Sequence, residues 1–345
     1  GEVKVAQGVY TPGSGLNSSD TGFSITTNGL KVIGGWNSDF SSVVGYSELD
    51  GNNNLYHIVV IDGVANAQLK NFVIRRGSAN GGVASQTKGG GIYIKNSSSL
   101  LIENIVVSNN TAQYGGAGIF LEKSSGNTLV NITLTSNSAI SYGGAIHLDD
   151  SDNNTINTTI LNNLASYGAG IYLTANSSGN SISGVIRNNN STQNGGGIYN
   201  WNSPNTRIEG SIINNNALNG GAIYILNSAN ISILNSVITN NSSTGSKSVI
   251  HLENNGNITG LVISNCIIGS ISDTDYIGIL EGGTSDTTGH VLAANKFVTN
   301  KLRYLYREYT GSRLITNLPA DWININNTSL LDTASGSDNN TVVSF

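Results

Sequence analysis

Between Lys88 and Glu253 one short phrase returns seven times: GGGIYI at Gly89 to Ile94, then GAGIFL, GGAIHL, GAGIYL, GGGIYN, GGAIYI, and finally KSVIHL ending at Leu252. Its isoleucines are Ile92, Ile119, Ile146, Ile171, Ile198, Ile223 and Ile250, so the steps are 27, 27, 25, 27, 25 and 27 residues. A fixed period in this range marks a stacked repeat. One repeat is too short to bury a face of its own, and only its neighbours give it a continuous core.

Between the phrases lie short alternating runs rich in Ile, Val, Thr and Ser, such as Ile208 to Ile213 and Ile231 to Ile238. Their period of two reads as strand. A helical solenoid would draw on Ala, Leu, Glu and Lys, whereas this chain has 43 Gly, no Met and 11% charged residues. A coil of about 26 residues accommodates three short strands and three turns, and strands of successive coils then pair in parallel at roughly 4.8 Å. The expected fold is an all-β, right-handed parallel β-helix solenoid, three strands per coil of 25–27 residues, capped at both ends. A β-propeller would need a period of about 40 or more.

A second row precedes the first. Asn109, Asn137, Asn162, Asn189 and Asn214 each lie six residues before a glycine of the next phrase, with Asn240 continuing the row. Asn tolerates left-handed backbone and bonds its own main chain, which suits a corner repeated in every coil with amides stacked along the axis.

The paired phrases VSNNTAQYGGAGIFL (Val107 to Leu121) and LTSNSAISYGGAIHL (Leu134 to Leu148) resemble the "xxN" and "GGAI" repeats of polymorphic-outer-membrane-protein-type adhesins. More broadly they are similar to surface β-helix proteins of bacteria and archaea. The resemblance covers about half the chain and implies the β-helix fold. It leaves the function open among adhesins, polysaccharide-binding proteins and polysaccharide-cleaving enzymes. The Phe of the family's Asn motif is mostly Leu, Val or Ile here.

A solenoid grows by adding coils, so residues 1–345 read as a single β-helix domain. Residues 1–63 are expected to form the N-terminal cap and first coils, 64–270 the regular coils, and 271–345 the last coils and C-terminal cap, including the basic, tyrosine-bearing stretch Lys296 to Arg313. Pro12 and Pro319 fall outside the repeats and Pro204 in a turn, in keeping with proline's exclusion from internal ladders. The formal net charge of −5, with basic residues otherwise scattered, points away from nucleic acid. No hydrophobic run is long enough to insert in a membrane. The chain opens at Gly1 without a signal-peptide pattern, and so reads as a mature form or excised fragment, expected to be monomeric, of a secreted or cell-surface protein. Cys266, alone in an apolar run, reads as a packing residue. The Asn-x-Ser/Thr triplets at Asn96, Asn131, Asn157, Asn176 and Asn257 follow from composition.

In the phrase, Ile and the residue two later point inward, so the residue between them points outward. That outward row is Tyr93, Phe120, His147, Tyr172, Tyr199, Tyr224 and His251; the next is Lys95, Glu122, Asp149, Thr174, Trp201, Leu226 and Glu253, and Tyr114, Tyr142 and Tyr167 precede the glycines. An aromatic face would suit a polysaccharide, because sugar rings stack on aromatic rings. Tyr93, Phe120, His147, Tyr172, Tyr199, Trp201 and Tyr224 are thus the candidate substrate-binding residues, with stacking within the sheet as the alternative. Glu122 and Asp149 occupy equivalent places in successive coils, flanked by His147 and Lys95, and are spaced for a retaining glycosidase pair. The Gly-His-Gly and Arg-x-Lys motifs of polygalacturonases and the Arg-centred pattern of pectate lyases are absent. Asp149, Asp150 and Asp152 with Asn153 and Asn154 offer oxygen ligands, but an Asx-rich turn accounts for them. No cofactor, metal or catalytic residue is therefore assigned. The first reading is a non-catalytic adhesin for insoluble or cell-wall polysaccharide. The alternatives are a polysaccharide lyase or glycoside hydrolase on the same face, or a structural stalk.

Overall fold

The computed structural model describes residues 1–16, 20–254, 258–269, 276–283, 290–293, 295–298, 302–308, 314–316, 322–325 and 328–330. The chain is all-β, a right-handed parallel β-helix with three sheets, and divides into two compact units, Gly1–Tyr172 and Leu173–Phe345.

In the first unit one parallel sheet comprises Thr21–Ile25, His57–Asp62 and then the strands of the recurring phrase, Ile92–Lys95, Ile119–Glu122 and Ile146–Asp149. Ile92 pairs with Ile119 and Ile119 with Ile146, so residues one period apart sit directly above one another. The alternating runs form the second sheet, including Gln68–Arg75, Leu101–Ser108 and Thr128–Thr135. The third sheet has two-residue strands, Ser78–Ala79, Thr111–Ala112 and Ser138–Ala139, then Leu164–Tyr167. Its buried side chains are alanines, Ala79, Ala112, Ala139 and Ala165, which close a narrow corner. Ile92, Ile94, Ile119, Leu121, Ile146 and Leu148 are fully buried and fill the coil interior.

The second unit repeats the plan with Ile198–Trp201, Ile223–Leu226 and Ser248–Asn254 in one sheet, Ser181–Arg187, Arg207–Ile213 and Ser232–Thr239 in another, and Asn190–Asn194, Asn216–Ala217 and Ser242–Ser243 in the third. Near its end three pairings turn antiparallel: Leu302–Glu308 with Leu314–Thr316, Asn295–Val298 with Trp322–Ile325, and His290–Ala293 with Thr328–Leu330. The side chains of Tyr304 and Tyr306, and Tyr309, Arg313, Pro319 and Asn257 altogether, lie outside the described residues. Among the described residues no helix is long and apolar enough to cross a membrane.

Parallel pairing begins within residues 1–63, where the N-terminal cap and first coils are expected. Glu2–Ala6 pairs in parallel with Lys31–Trp36, which pairs with Gln68–Arg75. Buried Asp50 anchors this region by accepting hydrogen bonds from Arg75 and Arg76.

The asparagine row needs correcting, because it merges two positions. Asn109, Asn162, Asn214 and Asn240 are left-handed corner residues, with φ of 55°, 55°, 56° and 59°. The stacked amides are Asn110, Asn137 and Asn163 in the first unit, and Asn189, Asn215 and Asn241 in the second. The Oδ1 of Asn137, Asn163, Asn215 and Asn241 each accepts from both the backbone N–H and the Nδ2 of the preceding member, at 3.1 and 3.0 Å where Asn137 receives Asn110. Asn-Asn doublets and the drift in coil length hide which member does which.

Replacing Asn137 by Ala strips the partner from a buried backbone N–H and from a buried amide, and also removes the Nδ2 donation to Val107 O. Each buried group left unsatisfied costs about 1–3 kcal/mol, so urea unfolding of Asn137→Ala is expected to show a loss of about 3 kcal/mol or more. A loss below about 1 kcal/mol would mean that water or a shifted neighbour replaces the ladder.

Candidate functional site

The row expected to form an exposed aromatic face is covered. Phe120 and His147 have no exposed surface, Tyr93 and Tyr172 are 4% and 2% exposed, and Tyr199 and Tyr224 are 5% and 6% exposed. Trp201 alone of the seven is open, at 42%. The cause is the turn before each strand. The first glycine of the phrase is left-handed, φ 58° at Gly116 and 57° at Gly143, and bends the chain back over the side chain four residues later. A Cβ on Gly116 would lie 2.8 Å from Phe120 Cβ, and one on Gly143 2.9 Å from His147 Cβ. In the seventh phrase Lys247 adopts the same conformation, φ 52°.

A second aromatic layer lies against the first. Tyr114 sits 6.2 Å from Phe120 and 5.7 Å from His147, and Tyr142 lies 4.8 Å from Tyr172, centroid to centroid. Within the row, Tyr93, Phe120 and His147 follow at 5.8 and 4.5 Å. His147 is fully buried with neither ring nitrogen hydrogen-bonded. Burial, aided by the charge of Lys88, pushes its pKa well below the ordinary histidine value, so the ring is neutral. In the second unit Tyr199 meets Tyr224 edge to face at 5.0 Å, and Tyr224 stacks on His251 at 4.8 Å.

Glu122 and Asp149 are register partners on adjacent strands. Lys88 Nζ donates to Glu122 Oε1 at 2.8 Å, and the Tyr93 hydroxyl donates to Oε2. Lys88 also lies 5.0 Å from the Phe120 ring centroid. Burial pushes the Glu122 pKa upward, but the hydrogen bonds from Lys88 and Tyr93 and the positive charges of Lys88 and Lys123 outweigh it and hold the carboxyl below its usual value. For Asp149 burial dominates and raises the pKa. The carboxylates of Glu122 and Asp150 add to the rise, and Lys88 and Lys123 only partly offset it. Burial, with the carboxylates of Glu122 and Asp149, raises Tyr93 and Tyr114.

Two sequence expectations about this cluster change. Lys95 pairs with Asp62 at 3.0 Å rather than flanking the carboxylates, and His147 is sealed beneath the aromatic rings instead of facing them. Lys88 takes the flanking place. Its signal was positional: it bridges to Gly115, and Gly115 to Tyr142, so it stands at the head of the row that precedes each glycine pair. Tyr199, Trp201 and Tyr224 belong to the second unit. The Asp149–Asn154 stretch is a turn with left-handed Asp150 and Asn153, and Asn154 Oδ1 is taken by Asn127. Among the described residues no group of three or more His, Cys, Asp or Glu side chains could hold a metal ion.

The family described as "Right handed beta helix region" matches residues 15–185 and 117–300. The chain belongs to this right-handed β-helix family. No curated protein matches it significantly. Similar solved structures include the periplasmic alginate epimerase AlgG (12% identity, 89% of this chain and 84% of that one, TM-score 0.43). PfbA, a surface adhesin of Streptococcus pneumoniae, shares 12% identity over 88% of this chain and 91% of its own, TM-score 0.42. An endo-xylogalacturonan hydrolase from Aspergillus tubingensis shares 11% identity over 90% and 86%, TM-score 0.37.

The opposed shifts give opposite pH dependences. The folded pKa of Asp149 is raised, so its contribution is fully present below the unfolded value of about 3.9 and lost as pH rises through the folded one. Asp149→Asn is therefore expected to gain stability relative to the parent as pH rises from acid to neutral. Glu122 is depressed, so its contribution is present above its unfolded pKa and lost as pH falls through the folded one. Glu122→Gln is expected to lose stability relative to the parent at neutral pH, with the gap closing in acid. Urea midpoints of both variants across this range check the signs, and two variants moving in the same direction would contradict the assignment.

Proposed function

We propose that the chain is a secreted or cell-surface glycoside hydrolase acting on polysaccharide at the Glu122–Asp149 pair. The observation that carries the reading is that two register-paired carboxylates have environments that push their pKa values apart. That is the arrangement that divides acid from base in sugar chemistry. Asp149, held protonated to higher pH, is the general acid toward the leaving-group oxygen. Glu122, ionised and oriented by Lys88 and Tyr93, is the nucleophile. Adjacent parallel strands set their backbones roughly 4.8 Å apart, close to the roughly 5 Å carboxyl separation of retaining enzymes. Glu122 keeps 26% of its side chain in solvent, so a substrate can reach it. The covered aromatic residues give the site a rigid floor, and Tyr114, at the surface, offers a ring for a sugar.

Trp201 favours a second reading, a non-catalytic adhesin, because its open indole suits stacking on a sugar ring. The two readings separate in one experiment. Cellulose, pectin and chitin are incubated with the protein and assayed both for new reducing ends and for bound protein. The hydrolase reading expects reducing ends on one polysaccharide, reduced roughly 10²–10⁴-fold in Asp149→Asn and Glu122→Gln with fold retained by circular dichroism. Binding without products, abolished by Trp201→Ala and indifferent to Glu122, would replace it with the adhesin.

A further inference from the structure

Among the described residues of the outer row, His147 is the ring whose polar atoms are buried without a hydrogen bond. The Tyr93 hydroxyl donates to Glu122, and His251 Nε2 lies 3.0 Å from Glu253 Oε2. Outside the row, His57 Nδ1 lies 3.0 Å from Gly89 O. A buried polar ring without partners costs stability that a phenylalanine in the same place does not, and Phe120 fills the equivalent place one coil earlier. A group of this kind calls for a reason beyond packing.

Four rings enclose His147. Phe120 and Tyr172 stand on the neighbouring strands at 4.5 and 4.8 Å, and Tyr114 and Tyr142 lie over it at 5.7 and 5.9 Å, centroid to centroid. The backbone closes the remaining side, since a Cβ on Gly115 would lie 2.6 Å from Nδ1. Tyr114 and Tyr142 are the movable part of this cover. Tyr114 is 37% exposed and Tyr142 half-buried, while the backbone that carries them is tied by Tyr142 N–H to Tyr114 O at 2.9 Å and Gly116 N–H to Tyr142 O at 3.0 Å. Both rings can swing into solvent by side-chain rotation with those bonds kept. The charged groups nearby are Lys88, Glu122 and Lys123 on one side and Asp149 and Asp150 on the histidine's own strand and just past it. Lys88 Nζ sits 5.4 and 5.0 Å from the Tyr114 and Phe120 centroids, and Glu122 is engaged by Lys88 and Tyr93. The hydroxyls of Tyr114, Tyr142 and Tyr172 complete the titratable surroundings.

We propose that protonation of His147 lifts the Tyr114–Tyr142 cover, so that the outer aromatic row is closed at neutral pH and open in acid. An imidazolium in the closed site would be a desolvated charge with no acceptor and with Lys88 repelling it. A ring that has reached water takes up its proton near the ordinary value of about 6.5. The histidine of the closed form is held well below that value, so the advantage of the closed form is full above about pH 6.5 and is lost as pH falls toward the closed-state pKa. Between those limits the ratio of open to closed molecules rises about tenfold per pH unit. Asp149, two residues along on the same outward face, can accept a hydrogen bond from the released imidazolium, and Phe120 and Tyr172 gain contact with solvent. The coil interior takes no part, because Ile119, Ile146 and Leu148 point to the other face of the sheet. The switch does not depend on the carboxylate pair being catalytic.

Near-ultraviolet circular dichroism and the emission of an added apolar dye, anilinonaphthalene sulfonate, followed from about pH 7 to about pH 4.5, test the switch, with far-ultraviolet circular dichroism reporting the fold. The parent is expected to lose aromatic ellipticity and bind dye reversibly in this window while the far-ultraviolet signal holds. His147→Phe, which repeats the ring of Phe120 one coil on, is expected to fold and to remove the transition. His57→Phe is expected to leave it in place, because His57 has its own partner in Gly89 O and lies against Tyr93. Asp149→Asn is expected to keep the transition but move it to lower pH. The imidazole proton resonances of His147 in the parent give an independent reading and should shift in step with the dye. A transition that survives in His147→Phe, one abolished by Asp149→Asn, imidazole resonances that do not follow the dye, aromatic ellipticity unchanged down to about pH 4.5, or far-ultraviolet loss in step with the near-ultraviolet would each overturn the proposal.

Discussion

A buried amide has four hydrogen-bonding sites to satisfy, and in this chain the coils on either side of it supply them. Asn137 receives two bonds from Asn110 and donates to Asn163 Oδ1 and Val107 O; Asn215 does the same between Asn189 and Asn241. An unsatisfied polar group in a dry interior costs more than the bond returns when made. A slip of one residue would break every rung in the ladder and turn the buried Ile and Leu rows outward, so the amides and the apolar side chains fix the same register. Cys266 marks the rule by exception: the residue after left-handed Asn265, it keeps the ladder's backbone donation to Asn295 Oδ1 at 2.9 Å, and its Sγ points at Ile233 O and Ser264 O, much as the Asn241 amide points at Ile212 O and Thr239 O. Burial raises the thiol to about 11, which fits an inert packing role.

Fixed register decides what meets what on the outer face. It sets Tyr93 against Phe120 and Phe120 against His147, and in the next row Glu122 against Asp149. Two like charges one strand apart are destabilising unless the surroundings separate them. Here Lys88 and Tyr93 both hydrogen-bond Glu122, whereas at Asp149 burial and repulsion outweigh the attraction of Lys88 and Lys123. The second unit has a related acid, Glu253, which receives His251 Nε2 at 3.0 Å and the Tyr224 hydroxyl at 3.5 Å. Its register partners are Leu226 and Gly282, so neither strand neighbour in its row carries a carboxylate.

The period, the isoleucine rows and the strand character were legible because they depend on spacing alone, and Ile119 does sit over Ile146. What spacing cannot carry is the path of the chain between strands. Outward from the coil is not outward to water here, because left-handed Gly116 and Gly143 return the backbone over Phe120 and His147, and Tyr114 and Tyr142 complete the cover. The glycines were visible as a motif; their φ was the missing quantity. The asparagine rows blurred for a related reason. A left-handed corner and a buried amide both favour Asn, so adjacent residues with different duties carry the same letter, and Ser136 stands at the corner before Asn137. The role of Lys88 is hidden in the sequence because its partner lies 34 residues away and becomes a neighbour only through the coil.

The account therefore turns on one asymmetry, produced by identical chemistry in unequal surroundings. Carbon-13 NMR titration of the side-chain carboxyls, assigned through Glu122→Gln and Asp149→Asn, measures it directly. Glu122 is expected to titrate below an ordinary glutamate and Asp149 above an ordinary aspartate. Both groups titrating at their ordinary values, or Asp149 below Glu122, would contradict it.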